Sequence, residues 1–171
     1  MEKHNPPYDG VFVASYFKDP LVRKMIHYFK YRFVKDLSHP LALLMAQALH
    51  NSHFPAPDLI IPIPLHARRL RWRGFNQAEE IARSLDLHIP LNTDILKRIR
   101  YTHPQVTMRD KESREDNVHN AFAVHDPSLI RGKNILLVDD IMTTGATITA
   151  CATVLKNSGA GNIYAIVIAR E

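Results

Sequence analysis

Ile135-Leu136-Leu137-Val138-Asp139-Asp140-Ile141-Met142-Thr143-Thr144-Gly145-Ala146-Thr147 decides how this chain of 171 residues folds. The apolar residues from Asn134 to Val138 read as a buried strand that ends at two adjacent carboxylates. A loop with one glycine follows. Apolar spacing then predicts a helix over Ala146 to Asn157, stopped by Ser158-Gly159. Asn162 to Ala169 reads as a second buried strand. Strand, helix and strand in that order form a βαβ unit, which implies a parallel sheet and a right-handed crossover.

Open α/β sheets bind ligands at the carboxyl edge of their strands, where Asp139 and Asp140 are expected. The loop after them supplies Thr143, Thr144, Gly145 and Thr147 at a helix start. Backbone N–H groups, the positive end of the helix dipole and hydroxyl donors together make an anion site. Paired carboxylates accept strongly from the hydroxyls of a polyol such as ribose. A phosphate site beside a diol site describes a ribose 5-phosphate group. The phosphate motifs G-x-x-x-x-G-K-[ST] and G-x-G-x-x-G are absent. A response-regulator type of acidic site also uses strand-end carboxylates, but has no need of the Thr-Thr-Gly-Ala-Thr loop.

Upstream, Asp58 to Pro64 is a short apolar run between prolines, read as another buried strand. It passes through Leu65 and His66 into Arg68, Arg69, Arg71 and Arg73, read as a basic turn. Four arginines and a histidine can neutralise a pyrophosphate, because guanidinium groups contact phosphate in a bidentate manner. The same turn, with Trp72 and Phe75 as stacking groups, also suits a nucleic-acid patch. Both readings stay open on the residues alone.

The other elements follow from periodicity. Val11 to Phe17 is β-prone. Leu21 to Phe33 has helical spacing, with Leu21, Met25, Ile26, Phe29 and Phe33 expected inward and Arg23, Lys24, Lys30 and Arg32 on the opposite face. Pro40 to His50 reads as a helix with proline in its first turn. Asn76 to Leu85 reads as a helix with Ala78, Ile81, Ala82 and Leu85 inward. Thr102 to Asn117 is polar and charged, the expected mobile loop. Ala121 to Val124 is a short strand.

Composition narrows the class. Apolar residues are 46% and charged residues 23%, which fits an ordinary globular chain. No apolar run approaches the roughly 18 residues of a membrane span, and the first residues carry no apolar signal segment, so a cytoplasmic protein is expected. The net charge of +5 favours an anionic partner. Cys151, the only cysteine, permits no internal disulfide and no cysteine-based zinc site, and it reads as a buried structural thiol. His50 and His53 stand three apart, but no nearby acid or cysteine completes a metal site.

Two resemblances add to this reading. The 13 residues from Ile135 to Thr147 resemble the motif with which type I phosphoribosyltransferases bind phosphoribosyl pyrophosphate (PRPP). Pro62-x-Pro64-Leu65-His66, Arg68-Arg69 and Arg73-Gly74-Phe75-Asn76-Gln77-Ala78 resemble the signature of the ComF (competence protein F, GntX) family. Arg98, Thr102, Gln105, Arg114, Asn117 and Ala121-Phe122-x-Val124 extend the match, as does Tyr16 to Phe33. The likeness spans about residues 8 to 170. Members of that family usually begin with a four-cysteine zinc ribbon, which this chain does not contain. It is therefore either a short member or one from which the ribbon was removed, and no zinc is expected.

The resemblance implies the type I phosphoribosyltransferase fold: α/β, a central mostly parallel sheet flanked by helices, and a small N-terminal helical hood. Residues 1–55 are the expected hood and residues 56–171 the PRPP-binding core of one domain. It implies that Asp139 and Asp140 hold the ribose hydroxyls and Mg²⁺. Thr143, Thr144, Gly145, Ala146 and Thr147 hold the 5-phosphate, and Leu65, His66, Arg68 and Arg69 the pyrophosphate. Thr102 to Asn117 becomes a closing loop, with Arg109 and Arg114 on the pyrophosphate. The implied reaction transfers a phosphoribosyl group to an unidentified nitrogen nucleophile, a base or an amine, and releases pyrophosphate. Thr143 stands where purine-salvage relatives often place an acid, which disfavours hypoxanthine or guanine. The alternative is a non-catalytic PRPP-binding or DNA-uptake protein, with single-stranded DNA or competence-machinery proteins as partners. A dimer is a further expectation.

Overall fold

The computed structural model describes residues 6–52, 55–101 and 120–171. Four parallel strands form the central sheet: β1 (Gly10–Tyr16), β2 (Leu59–Pro62), β5 (Ile135–Met142) and β6 (Ile163–Arg170), in the order β1-β6-β5-β2. A separate antiparallel ribbon pairs β3 (Leu96–Arg98) with β4 (Phe122–Val124). The helices are α1 (Pro20–Tyr31), α2 (Ser38–His50), α3 (Ala67–Arg73), α4 (Gln77–Ser84) and α5 (Ala146–Asn157).

The sheet is covered on both sides, which is why β5 and β6 are apolar without alternation. One face carries Leu59, Ile61, Ile135, Leu137 and Val167 against Ile148, Cys151 and Leu155 of α5 and Leu96 and Phe122 of the ribbon. The other carries Ile60, Leu136, Val138, Ile166 and Ile168 against α1, α2 and α4. Strand side chains alternate between faces. Continuing that alternation along β5 sends Asp139 to the α5 side and Asp140 to the α1 side.

Several expectations need correction. β5 does not end at the acids: it runs four residues further than Val138, still paired to β6 through Met142. Leu21 and Phe33 face outward and Val22 takes the inward place, because α1 is anchored by Val22, Ile26 and Phe29. α2 starts at Ser38, two residues before Pro40. The basic turn is instead the short helix α3, and β3 went unpredicted because Leu96–Arg98 offers a single buried side chain. The Thr102 to Asn117 loop, Arg109, Arg114 and His53 lie outside the described residues.

Candidate functional site

The carboxyl ends of β2 and β5 open into a cleft of about 1120 Å³. Asp139, Asp140, Thr143, Thr144 and Thr147 line it from β5 and α5, and Leu65, Arg68 and Arg69 from the segment after β2. Gly145, Ala146 and His66 are not among its lining residues. A smaller cavity, about 370 Å³, lies along α5 and β4 and has no charged lining among the described residues. The chemistry therefore concentrates in the larger cleft.

Each acid meets a cation from a different layer. On the α1 side, Lys30 Nζ stands 2.9 Å from Asp140 Oδ1. On the α5 side, Asp139 shares its surroundings with Arg98 of β3 and with Cys151. Burial and then the neighbouring Asp140 charge push the Asp139 carboxyl up to about 7, against the opposing pull of Lys30 and Arg98. Burial lowers Arg98, and the nearby Arg69 adds repulsion. Burial raises the Cys151 thiol, which packs in the core with no exposed surface. It is the structural thiol the sequence suggested.

Backbone donors fix the acids. Asp139 Oδ1 accepts from Asp140 N at 2.8 Å, and Asp140 Oδ1 accepts from Ile141 N at 2.7 Å. The second oxygen of each carboxylate has no hydrogen bond or ion pair among the described residues. Among the described residues no cluster of three or more His, Cys, Asp or Glu could cage a metal. Two carboxylate oxygens do suit Mg²⁺ if a bound phosphate supplies the remaining ligands, since that ion is usually held by one or two carboxylates plus substrate phosphates.

Gly145 precedes α5 with φ +82°, a left-handed conformation that costs glycine little. A Cβ there would approach the Met142 side chain to 3.3 Å. No side chain caps α5 from this position, and Thr144 Oγ1 accepts only from Ala146 N, at 3.3 Å. The first N–H groups of a helix have no intrahelical partner, so this start can receive an anion.

The segment after β2 is more ordered than a turn. His66 Nδ1 accepts from Arg68 N and caps α3. The Arg68 guanidinium lies 4.8 Å from the Tyr101 ring centre. Arg68, Arg69 and Arg73 line the cleft, whereas Arg71 does not. Gly74 ends α3 at φ +76° and Phe75 anchors the chain against Phe29, 5.4 Å between ring centres. Asn76 then caps α4 while its Nδ2 donates to Ile63 O at 3.1 Å, tying α4 to the end of β2. This accounts physically for Gly74-Phe75-Asn76.

Sequence reasoning does not place Lys30, Arg98 or Gln77 in the cleft, whereas Arg73, one of the four arginines of the basic turn, lines it. Periodicity puts Lys30 on the basic face opposite the apolar stripe. It lies beside Phe29 and one turn beyond Ile26, at the border of the buried stripe, and that border position was the available signal. Arg98 enters the sequence reading through the family resemblance and not through periodicity, because the short strand that carries it has no periodic signal.

No described helix is long and apolar enough to cross a membrane. Comparison with known proteins gives consistent results. Residues 46–171 match the phosphoribosyl transferase domain. Competence protein F of Haemophilus influenzae is 31% identical, the alignment covering 98% of this chain and 76% of that protein. DNA utilization protein YhgH of Escherichia coli K12 is 30% identical, over 92% of this chain and 70% of that protein. Adenine phosphoribosyltransferase from Leishmania donovani superposes with a TM-score of 0.49 at 13% identity, over 99% of this chain and 86% of that one.

Proposed function

The chain belongs to the phosphoribosyl transferase domain family, among the relatives of competence protein F, and on that premise we propose that it binds PRPP with Mg²⁺ and transfers the phosphoribosyl group to a nitrogen nucleophile. The observation that carries this reading is a single cleft lined by Asp139 and Asp140, the Thr143 to Thr147 loop, and Arg68 and Arg69.

The free oxygens of Asp139 and Asp140 accept from the ribose hydroxyls, and their charge faces the cation that develops at the anomeric carbon. The Thr143, Thr144 and Thr147 hydroxyls and the α5 N-terminus hold the 5-phosphate. Arg68 and Arg69 stabilise the departing pyrophosphate, with His66 fixing the start of their helix. Bound Mg²⁺ supplies further positive charge to the pyrophosphate. α1 roofs the acids through Lys30, which gives the helical part of residues 1–55 its proposed role as a hood over the core at 56–171, whereas β1 belongs to the central sheet of that core. Arg109 and Arg114 complete the pyrophosphate contacts in this proposal. Catalysis then rests on positioning and electrostatics.

A second reading has an observation of its own. Trp72 is 62% exposed and stands edge-on to exposed Phe33, 6.2 Å between ring centres, beside Arg71. Such a surface suits a single-stranded nucleic acid. Pyrophosphate release from PRPP, screened over bases and amines, tests the enzyme reading. Release with at least one acceptor is expected. PRPP binding with no release from any acceptor would instead favour a binding protein.

A further inference from the structure

Asp140 Oδ1 accepts twice, from Ile141 N at 2.7 Å and from Lys30 Nζ at 2.9 Å. The Lys30 and Asp140 side chains are only 15% and 12% exposed. α1 does not need this ion pair in order to dock. Val22, Ile26 and Phe29 already bury its apolar stripe, and Phe29 packs against Phe75. Taking both charges out of water costs free energy that an apolar pair in the same place would not. Docking of the helix therefore does not explain why this position carries an ammonium.

The charge balance of the cleft bears on its role. The Lys30 charge reaches Asp139 as well as Asp140, and Arg98 of β3 acts on Asp139 from the other side of the sheet. The acid pair thus faces two cations, and no negative surplus remains on it. Among the described residues Arg23, Lys30, Arg68, Arg69, Arg73 and Arg98 line the cleft, against the carboxylates of Asp139, Asp140 and Glu171 alone. A divalent cation entering by itself is repelled by this balance. A cation entering on a polyphosphate is not, because the phosphate charges outnumber its own.

We propose that Lys30 guards the acid pair: it excludes free divalent cations from the unliganded protein and gives up Asp140 when a phosphate-bound cation arrives, an inference that rests on the PRPP reading above. The pyrophosphate of PRPP offers the ammonium a second anion. Asp140 is then released to ribose and metal as the same ligand brings them. Metal binding thereby depends on PRPP.

The test uses Mn²⁺ in place of Mg²⁺, because electron paramagnetic resonance counts the free Mn²⁺ ion. Without PRPP, Lys30→Met and Lys30→Gln should each bind Mn²⁺ about tenfold or more tightly than the parent chain, and Lys30→Arg no more tightly than the parent. Mn²⁺ alone should also raise the melting temperature of Lys30→Met, where it replaces the missing charge beside Asp140, and leave that of the parent unchanged. Two neutral variants allow for one that fails to fold. A lysine that only anchors α1 would lower the melting temperature when replaced, with no gain in Mn²⁺ affinity, and that result overturns the proposal. Mn²⁺ binding by the parent as tight without PRPP as with it overturns the proposal whatever the variants do. Calorimetric titration of the same proteins with PRPP and Mg²⁺ checks the underlying reading separately. If the neutral variants gain Mn²⁺ but PRPP binds none of the proteins, the PRPP reading and the release step fall, while exclusion of free metal by Lys30 stands.

Discussion

Asp139 turns its buried setting into a measurable pH dependence. Its folded pKa of about 7 lies above the roughly 3.9 of an unfolded aspartate. Between about pH 4 and pH 7 the folded state therefore holds more of this proton than the unfolded state. Stability falls as pH rises through that window and levels off above it. Urea unfolding at several pH values should show that Asp139→Asn flattens this dependence; parallel curves for the two proteins would contradict it. Lys30 opposes the rise at Asp139, so Lys30→Met should extend the upper end of this window to higher pH. That variant should also cost about 3 kcal/mol, because it strands the Asp140 charge beside the cleft. Cys151 offers a simpler check. Its thiol is fully buried and its pKa raised, so a thiol reagent should modify it only on unfolding. Rapid labelling of the folded protein would show that the α5 face opens locally.

At the scale of elements, the loop and helix after β5 were legible because several local signals agreed: an apolar run, an acidic pair, a glycine and a C-cap. α5 was read from Ala146 to Asn157, as it folds. Gly145→Ala should cost about 1–2 kcal/mol through its left-handed φ, measurable by denaturant unfolding; an unchanged midpoint would contradict the strain. α3 was less legible. Its seven residues bury none, so no periodicity marks it. Yet its helical turn is what sorts the arginines, since residues four apart share a face. Arg69 and Arg73 look into the cleft together and Arg71 turns away. Arg69→Ala should lower PRPP affinity, while Arg71→Ala leaves it nearly unchanged. If both instead weaken single-stranded DNA alone, the pyrophosphate role of α3 is wrong. The placement of Lys30 and Arg98 beside the acids is illegible in the sequence for a related reason. Their partners are distant in sequence, and only the alternation of Asp139 and Asp140 across two packed faces brings each cation to its acid.

For the whole molecule, we propose that two layers and a strand edge converge on one PRPP site. A ligand present at 100 times its Kd adds about 2.7 kcal/mol of stability, so PRPP with Mg²⁺ should raise the melting temperature. The most direct measurement is calorimetric titration of PRPP with Mg²⁺, and of inorganic phosphate, into the protein and into Asp139→Asn/Asp140→Asn. PRPP should bind the parent chain and lose about tenfold or more in the double variant, about 1.4 kcal/mol or more. Phosphate, held by the Thr143 to Thr147 loop, should lose little. No PRPP binding at millimolar concentration, or an equal loss for both ligands, would mean that Asp139 and Asp140 do not form a PRPP site.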